Sequence, residues 1–473
     1  MGFCRLVRCL QRKMEKKPKW SPLGATSALF LLSASLVLIV FFVSNYALQL
    51  GSWMEFANRR GELGAKTGDV GRKELQGERL NYLLQRLVGD QLTEFKTEGF
   101  LYFADEHTEL CISSKPVRVD DGGLTVYIQS KGNRFTRTVR PYARKEDGTA
   151  MDQVTPVKIV HGPATDLPAC DFTHRVPAMV FSSGGFTGNA YHEFNEIIIP
   201  LFLTALHLRS RVQFVITDYK PWWVDKYREI LSHMSDYAVG NSSGISGVHC
   251  FPGAVIGLRY HDNLAIDSGK IPRGLSMVDF RRFLWDAYTV KPVNVHDTGK
   301  KPALVLISRN STRRILNEDG MVEMMEEMGF RVIVIRPGKM SSLKELAGII
   351  GSCSIMVGPH GAGLTHELFL PDGAAVVQIV PLGLDWASST YYGDPPLRMG
   401  LKYRAYKIDP EESSLAKTYG LDHPVITDIA SVFAQGYYAA RAVYVDGQDM
   451  NIDLARFRKT LTEAMQLIRH PQS

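Results

Sequence analysis

What most constrains the fold of this chain is an alternation that runs through its C-terminal three quarters: short β-rich apolar runs separated by amphipathic stretches of helical length. The strand candidates are Ala178–Phe181, Val212–Thr217, Ala303–Ser308, Arg331–Ile335, Ile355–Val357 and Ala374–Val380. Between them lie Tyr191–Leu206, Trp222–Met234, Val278–Tyr288, Glu318–Met328 and Ser342–Ile350, each with helical spacing of apolar residues. A helix stripe of this kind is buried by packing on a sheet, so the expected class is α/β with parallel strands. The polar segment Lys291–Lys301 interrupts the alternation and reads as a hinge. Two doubly wound domains, 98–295 and 296–473, follow from it, with a ligand expected in the crevice at the C-terminal ends of their strands.

A second feature lies ahead of these domains. No charged residue occurs from Trp20 to Met54, and Leu23–Val43 is an apolar run of 21 residues. As a helix it spans roughly 31 Å, about one hydrocarbon core. Its length exceeds a signal-peptide core and it ends without a small-x-small cleavage site. The formal charge of +6 locates its orientation: removing the seven basic residues and Glu15 of residues 1–22 leaves 48 basic and 48 acidic side chains. The expected topology is therefore a cytosolic tail (1–22), a transmembrane signal anchor (23–43), a Gly- and charge-rich stem (44–97) and a lumenal body. A body with no net charge lacks the basic excess that nucleic-acid binding needs.

Cysteine use agrees with a lumenal body. Cys4 and Cys9 precede the anchor, and Cys111, Cys170, Cys250 and Cys353 follow it as buried thiols or disulfides of undetermined pairing. None has zinc-site spacing. Asn241-Ser-Ser and Asn310-Ser-Thr are glycosylation acceptors in such a compartment.

Three motifs carry candidate chemistry. Ile355-Met-Val-Gly-Pro-His-Gly-Ala-Gly-Leu-Thr-His-Glu367 is a buried strand, a Gly-rich turn and the opening of a helix. His360, Gly361, Ala362 and Gly363 let a diphosphate approach backbone N–H groups, or form a tight turn without a ligand. A nicotinamide dinucleotide is disfavoured, because the next strand carries Gln378 where an acid would take a ribose hydroxyl. Ile307-Ser-Arg-Asn-Ser-Thr-Arg-Arg-Ile-Leu-Asn317 places Arg309, Arg313 and Arg314 after another strand, as phosphate ligands or as a solvated basic loop. No Asp-x-Asp occurs in the chain, so a nucleotide sugar held by arginines without a metal fits better than one held by a metal.

The third motif, Phe181-Ser-Ser-Gly-Gly-Phe-Thr-Gly-Asn-Ala-Tyr-His-Glu-Phe-Asn-Glu196, is again strand, turn and helix. His192 and Glu196 share a helix face. His192, Glu193, Glu196 or Asp218 is a candidate base for an acceptor hydroxyl, and His192 is equally a capping or core residue. Tyr219, Trp222, Trp223 and Tyr227 are sugar-stacking rings or core aromatics. Gly240-Asn-Ser-Ser-Gly244 matches a serine-hydrolase pattern but lacks its flanking strand and helix, and reads as a polar loop.

Together Phe181-Ser-Ser-Gly-Gly-Phe-Thr-Gly-Asn189, Asp218-Tyr-Lys-Pro-Trp-Trp223, His249-Cys-Phe-Pro252, Ser308–Asn317, Gly358–His366 and Glu411-Glu-Ser-Ser-Leu415 resemble glycosyltransferase family 61, over about Cys111 to Leu467. The resemblance implies a GT-B-like pair of Rossmann-like domains and inverting, metal-independent transfer of a pentose from UDP-xylose or UDP-arabinofuranose to a xylan acceptor. It also implies the Golgi membrane as the setting and other Golgi glycosyltransferases as possible partners. Carried over by position, Arg309 and Arg313 hold the diphosphate beside His360 and Gly361–Gly363. His366 stands where many members have Asn, and Asp428-Ile429 replaces a common Asp-Pro. A glycosyltransferase acting on N-linked glycans and a non-catalytic glycan-binding scaffold are the rival readings.

Overall fold

The computed structural model describes residues 92–120, 124–130, 134–241, 247–270, 274–297, 301–338 and 342–469, together with Leu84 and Leu87. The expected tail and anchor, 1–43, lie outside the described residues. Among the described residues no helix is long and apolar enough to cross a membrane.

The first half is built from strands that range from buried on both faces, as Ala178–Ser182 is, to largely exposed, as Phe135–Val139 and Phe172–Thr173 are. In chain order these are β1 (Phe100–Ala104), β2 (Glu109–Ser113), β3 (Val117–Asp120), β4 (Thr125–Gln129), β5 (Phe135–Val139) and β6 (Val157–Gly162). They are followed by β7 (Phe172–Thr173), β8 (Ala178–Ser182), β9 (Gln213–Thr217), β10 (Gly240–Asn241), β11 (Val248–Phe251) and β12 (Ala254–Ile256). One sheet has the order β1-β2-β12-β8-β9-β10. It is parallel from β12 to β10 and closed at its other edge by the antiparallel β1–β2 hairpin. A second, mixed sheet has the order β5-β6-β4-β3-β11-β7. Its inner face packs on the first sheet through Val117, Val126, Ile159, Val180 and Ile256.

The second half carries one sheet of β13 (Ala303–Ile307), β14 (Arg331–Ile335), β15 (Ile355–Pro359), β16 (Ala375–Val380) and β17 (Lys402–Lys407), ordered β14-β13-β15-β16-β17 and parallel throughout. β13, β15 and β16 are buried along their whole length, as strands covered by helices on both faces must be. The chain reverses its direction of travel across the sheet between β13 and β15. The loops leaving these two neighbours diverge there and open a crevice at their C-terminal ends.

Several expectations change. The stem was expected to run to residue 97, yet helix Leu92–Glu98 belongs to the folded body, with Phe95 and Leu84 fully buried in its main core. Helix Met277–Tyr288, on the first side of the expected hinge, docks on elements of the second side. Its fully buried Arg281 pairs with Asp372 at 3.0 Å and donates to the carbonyls of Met399 and Leu370, and Trp285 Nε1 donates to the Phe369 carbonyl at 3.3 Å. One apolar core accordingly contains residues from Leu84 to Leu401. The whole second sheet, β17 and the C-terminal helix Leu454–Arg469 fell outside the strands and helices expected from periodicity.

Cys170 and Cys250 form a disulfide that ties the segment before β7 to β11. Cys111 and Cys353 are free and buried, which pushes their thiols up to about 12 and about 11.

Candidate functional site

The crevice at β13 and β15 is lined by the two motifs that the sequence singled out. Leaving β13, the chain holds Arg309 through its own loop: Nε donates to the Thr312 carbonyl at 2.7 Å. Arg313 is buried and donates from a terminal nitrogen to the His360 carbonyl at 3.0 Å. Its backbone is left-handed, at φ 55°, and is fixed by its N–H to the Gln448 carbonyl at 2.7 Å. A bulky residue at such an angle costs about 1–2 kcal/mol.

Neither arginine forms a salt bridge among the described residues. Burial lowers the pKa of Arg309, and burial with the neighbouring Arg309 charge brings Arg313 down to about 10, so both stay cationic at neutral pH. Two guanidinium groups held by carbonyl oxygens, with no carboxylate bonded to them, form a site for an anion. Arg314 behaves differently: it pairs with Asp449 at 2.6 Å on the surface and belongs to the scaffold.

Gly361 is what allows the arginines to sit there. Its φ is 147°, and a Cβ at that position would lie 2.4 Å from a terminal nitrogen of Arg309. Ala362–Phe369 that follows is a 3-10 helix rather than the expected α-helix. The anion-binding charge of the crevice is therefore carried chiefly by arginine side chains rather than by a helix dipole.

His360, after β15, completes this side. Burial and the two arginine charges lower its pKa to about 3, so the ring is neutral. Tyr403 donates to Gln378 Oε1 at 2.7 Å, and Gln378 Nε2 donates to His360 Nδ1 at 3.0 Å. A neutral imidazole accepting at Nδ1 carries its proton on Nε2. Gln378, noted in the sequence only as a missing acid, thus sets the tautomer of a histidine in the crevice. His366 is also neutral, lowered by burial to about 4, with Nδ1 bonded to the Gly363 carbonyl at 2.9 Å.

On the other side, the helix after β8 starts at Asn189, whose side chain caps Tyr191 N–H, and passes through a π-helical turn at Glu193–Ile198. Such turns recur at functional sites because they re-aim side chains. His192 Nδ1 lies 2.6 Å from Glu196 Oε1, with the histidine side chain 20% exposed and the glutamate fully buried. Glu196 also accepts from Tyr142 at 2.5 Å and Arg144 at 2.8 Å. Gly185, at φ 56°, makes room for the Tyr142 ring, which a Cβ would meet at 2.3 Å.

The four candidate bases are therefore not equivalent. Glu193 is buried and accepts from Lys226 at 2.5 Å, Tyr227 at 2.6 Å and Gly188 N–H at 3.1 Å. Asp218 accepts from Ser182 at 2.6 Å and from the Thr155 hydroxyl and N–H at 2.5 and 3.0 Å. Both tie the first half together. His192, oriented by Glu196 and partly exposed, has the geometry of a general base. Of the aromatic run, Trp223 and Tyr227 are core residues, and Trp222 is 48% exposed.

Three tyrosines join the two sides. Tyr191 lies against Tyr391 and Tyr392 with ring centroids at 5.2 and 5.8 Å, and Tyr392 lies 5.5 Å from His360. Their helix, Asp385–Tyr392, carried no motif in the sequence. Asn310 is exposed between the two arginines; the Asn241 side chain lies outside the described residues.

Comparison with known proteins bears on this arrangement. Residues 165–377 match the family model described as Glycosyltransferase 61. The chain is 35% identical over 381 residues to the xylan glycosyltransferase MUCI21 of Arabidopsis thaliana, covering 76% of this chain and 77% of that one. It is 38% identical over 405 residues to the beta-1,2-xylosyltransferase XYXT1 of Oryza sativa subsp. japonica, covering 80% and 87%. It is 37% identical over 371 residues to the alpha-1,3-arabinosyltransferase XAT3 of the same species, covering 77% and 64%. The matched segment contains the arginine loop, the Gly361 turn and the His192–Glu196 pair, and on this evidence the chain belongs to glycosyltransferase family 61.

Proposed function

We propose that this protein is an inverting, metal-independent glycosyltransferase that moves a pentose, xylose or arabinofuranose, from its UDP donor to xylan. The observation that carries the reading is the pairing of a partly exposed, carboxylate-oriented histidine with two arginines to which no carboxylate is bonded among the described residues, linked by one tyrosine cluster. The family relatives named for xylosyl and arabinosyl transfer supply the sugar and the acceptor.

Inversion needs a single in-line displacement. His192 takes the proton of the attacking acceptor hydroxyl, and Glu196 stabilises the imidazolium that forms. Arg309, Arg313 and the Nε2 proton of His360 take up charge as the diphosphate leaves, inside a crevice where such contacts are stronger than in water. No covalent intermediate on the protein is required.

A GT-B-like arrangement of two halves, about 92–295 and 296–473, accommodates this, with the donor on the parallel sheet of the second half. The setting we propose is the Golgi lumen, behind a type II anchor at 23–43. The Cys170–Cys250 disulfide supports an oxidising compartment.

The test is transfer by the purified protein from UDP-xylose and UDP-arabinofuranose to xylo-oligosaccharides, with and without EDTA. Transfer from one donor, unchanged by EDTA, is expected. No transfer from either donor removes the enzyme reading in favour of a glycan-binding scaffold, and loss of transfer in EDTA removes the metal-independent one.

A further inference from the structure

The tyrosine cluster beside His192 continues outward as a line of aromatic rings that the fold leaves uncovered. Beyond Tyr191 and Tyr391 comes Trp386, with its ring centroid 5.8 Å from Tyr391 and 70% of its surface exposed. On helix Tyr437–Ala440, Tyr437 and Tyr438 are 65% and 71% exposed, with centroids 5.4 Å apart. Burial raises the pKa of the Tyr391 phenol, with a smaller contribution from the neighbouring Tyr437.

Single exposed aromatics are common and carry no message. These differ in being continuous with a reacting group: Trp386, Tyr391, Tyr191 and His192 form one unbroken sequence of ring contacts. The side chains of this line are aromatic and phenolic, with no lysine or arginine among them of the kind an anionic membrane surface favours. A pyranose ring has C–H bonds on its faces and hydroxyls on its rim. An aromatic face takes the first, while phenol hydroxyls and water take the second. The line extends past the single sugar that meets His192, so its occupant is a chain.

We propose that Trp386, Tyr391, Tyr437 and Tyr438 form an acceptor subsite that stacks successive rings of an uncharged polysaccharide backbone beyond the residue deprotonated by His192. This rests on the transfer reading above and assigns where its polymer lies.

The experiment uses the full chain and the variants Trp386→Ala, Trp386→Phe and Tyr437→Ala/Tyr438→Ala. Acceptor KM is measured for xylobiose and xylohexaose, with donor KM alongside. Retardation in a xylan-containing native gel, without donor, is the second readout. For the alanine variants the hexaose KM is expected to rise about five- to tenfold and the biose KM less than twofold. Donor KM and kcat are expected to hold, Trp386→Phe to recover most of the loss, and gel retardation to fall in parallel. Equal effects on short and long acceptors, or unchanged retardation, overturn the subsite. So does a loss that appears in liposome or protein binding instead of glycan binding. Because the gel needs no turnover, it decides the subsite even if neither donor supports transfer, an outcome that would overturn the enzyme reading alone.

Discussion

Two strand, glycine turn and helix motifs face each other in this protein, and they treat buried charge in opposite ways. After β8, Gly185 makes space for Tyr142, and the buried Glu193 and Glu196 are each satisfied by three donors. After β15, Gly361 makes space for Arg309, and the two arginines beside it have no carboxylate bonded to them. A satisfied charge fixes geometry and asks for nothing more. An unsatisfied one makes the folded state less stable until a ligand of opposite sign arrives. Similar local sequence patterns therefore leave buried charge bonded to opposite charge in one half and without a bonded carboxylate in the other.

The comparison breaks most visibly at His192. Replacing it by Ala is expected to lower kcat by about 10²–10⁴ with donor KM unchanged; a change confined to donor KM would put His192 on the binding side. Glu196→Gln leaves Tyr142 and Arg144 in place but weakens stabilisation of the imidazolium, and a smaller kcat loss of about tenfold to a hundredfold is expected.

Arginine variants should show the reverse pattern. Arg313→Ala is expected to weaken UDP binding by about ten- to a hundredfold, as removal of a charge-assisted hydrogen bond does, while the free protein becomes no less stable to urea. Destabilisation with unaltered UDP affinity would show that its charge serves the fold. Gly361→Ala moves Arg309 and acts more weakly in the same direction, by about tenfold in UDP affinity, measured by calorimetry.

A separate expectation is pH dependence of stability. His360 and His366 titrate at about 3 and about 4 in the folded protein, against about 6.5 when unfolded. Below pH 6.5 the unfolded chain binds protons that the folded one refuses. Stability is therefore full above that pH and falls toward pH 4, by up to about 1.4 kcal/mol per pH unit for each histidine. Thermal melts between pH 4 and 7 measure it.

Much of the site was legible because its residues are local. Arg309 and Arg313 share one loop, His360 and Gly361 another, and His192 and Glu196 one helix turn. Periodicity placed the strands that precede all three, β13, β15 and β8, because strands buried on both faces leave nearly continuous apolar runs. The mixed sheet β5-β6-β4-β3-β11-β7 escaped because its strands are short, half exposed and rich in polar residues. Gln378, Tyr403, Tyr142 and Arg144 escaped for another reason: their partners lie between 18 and 54 residues away in the chain.

The sequence by itself determined the α/β class, the identity of the three turn motifs and the residues able to bind phosphate or accept a proton, since each depends on spacing within a few residues. Only the tertiary structure decided which charges are compensated. It bonded Glu193 to Lys226 and Arg314 to Asp449, left Arg309 and Arg313 with no carboxylate bonded to them among the described residues, and brought Tyr191 against Tyr391. Whether a buried charge is a strut or a binding site depends on what packs against it, and those neighbours come from distant parts of the chain.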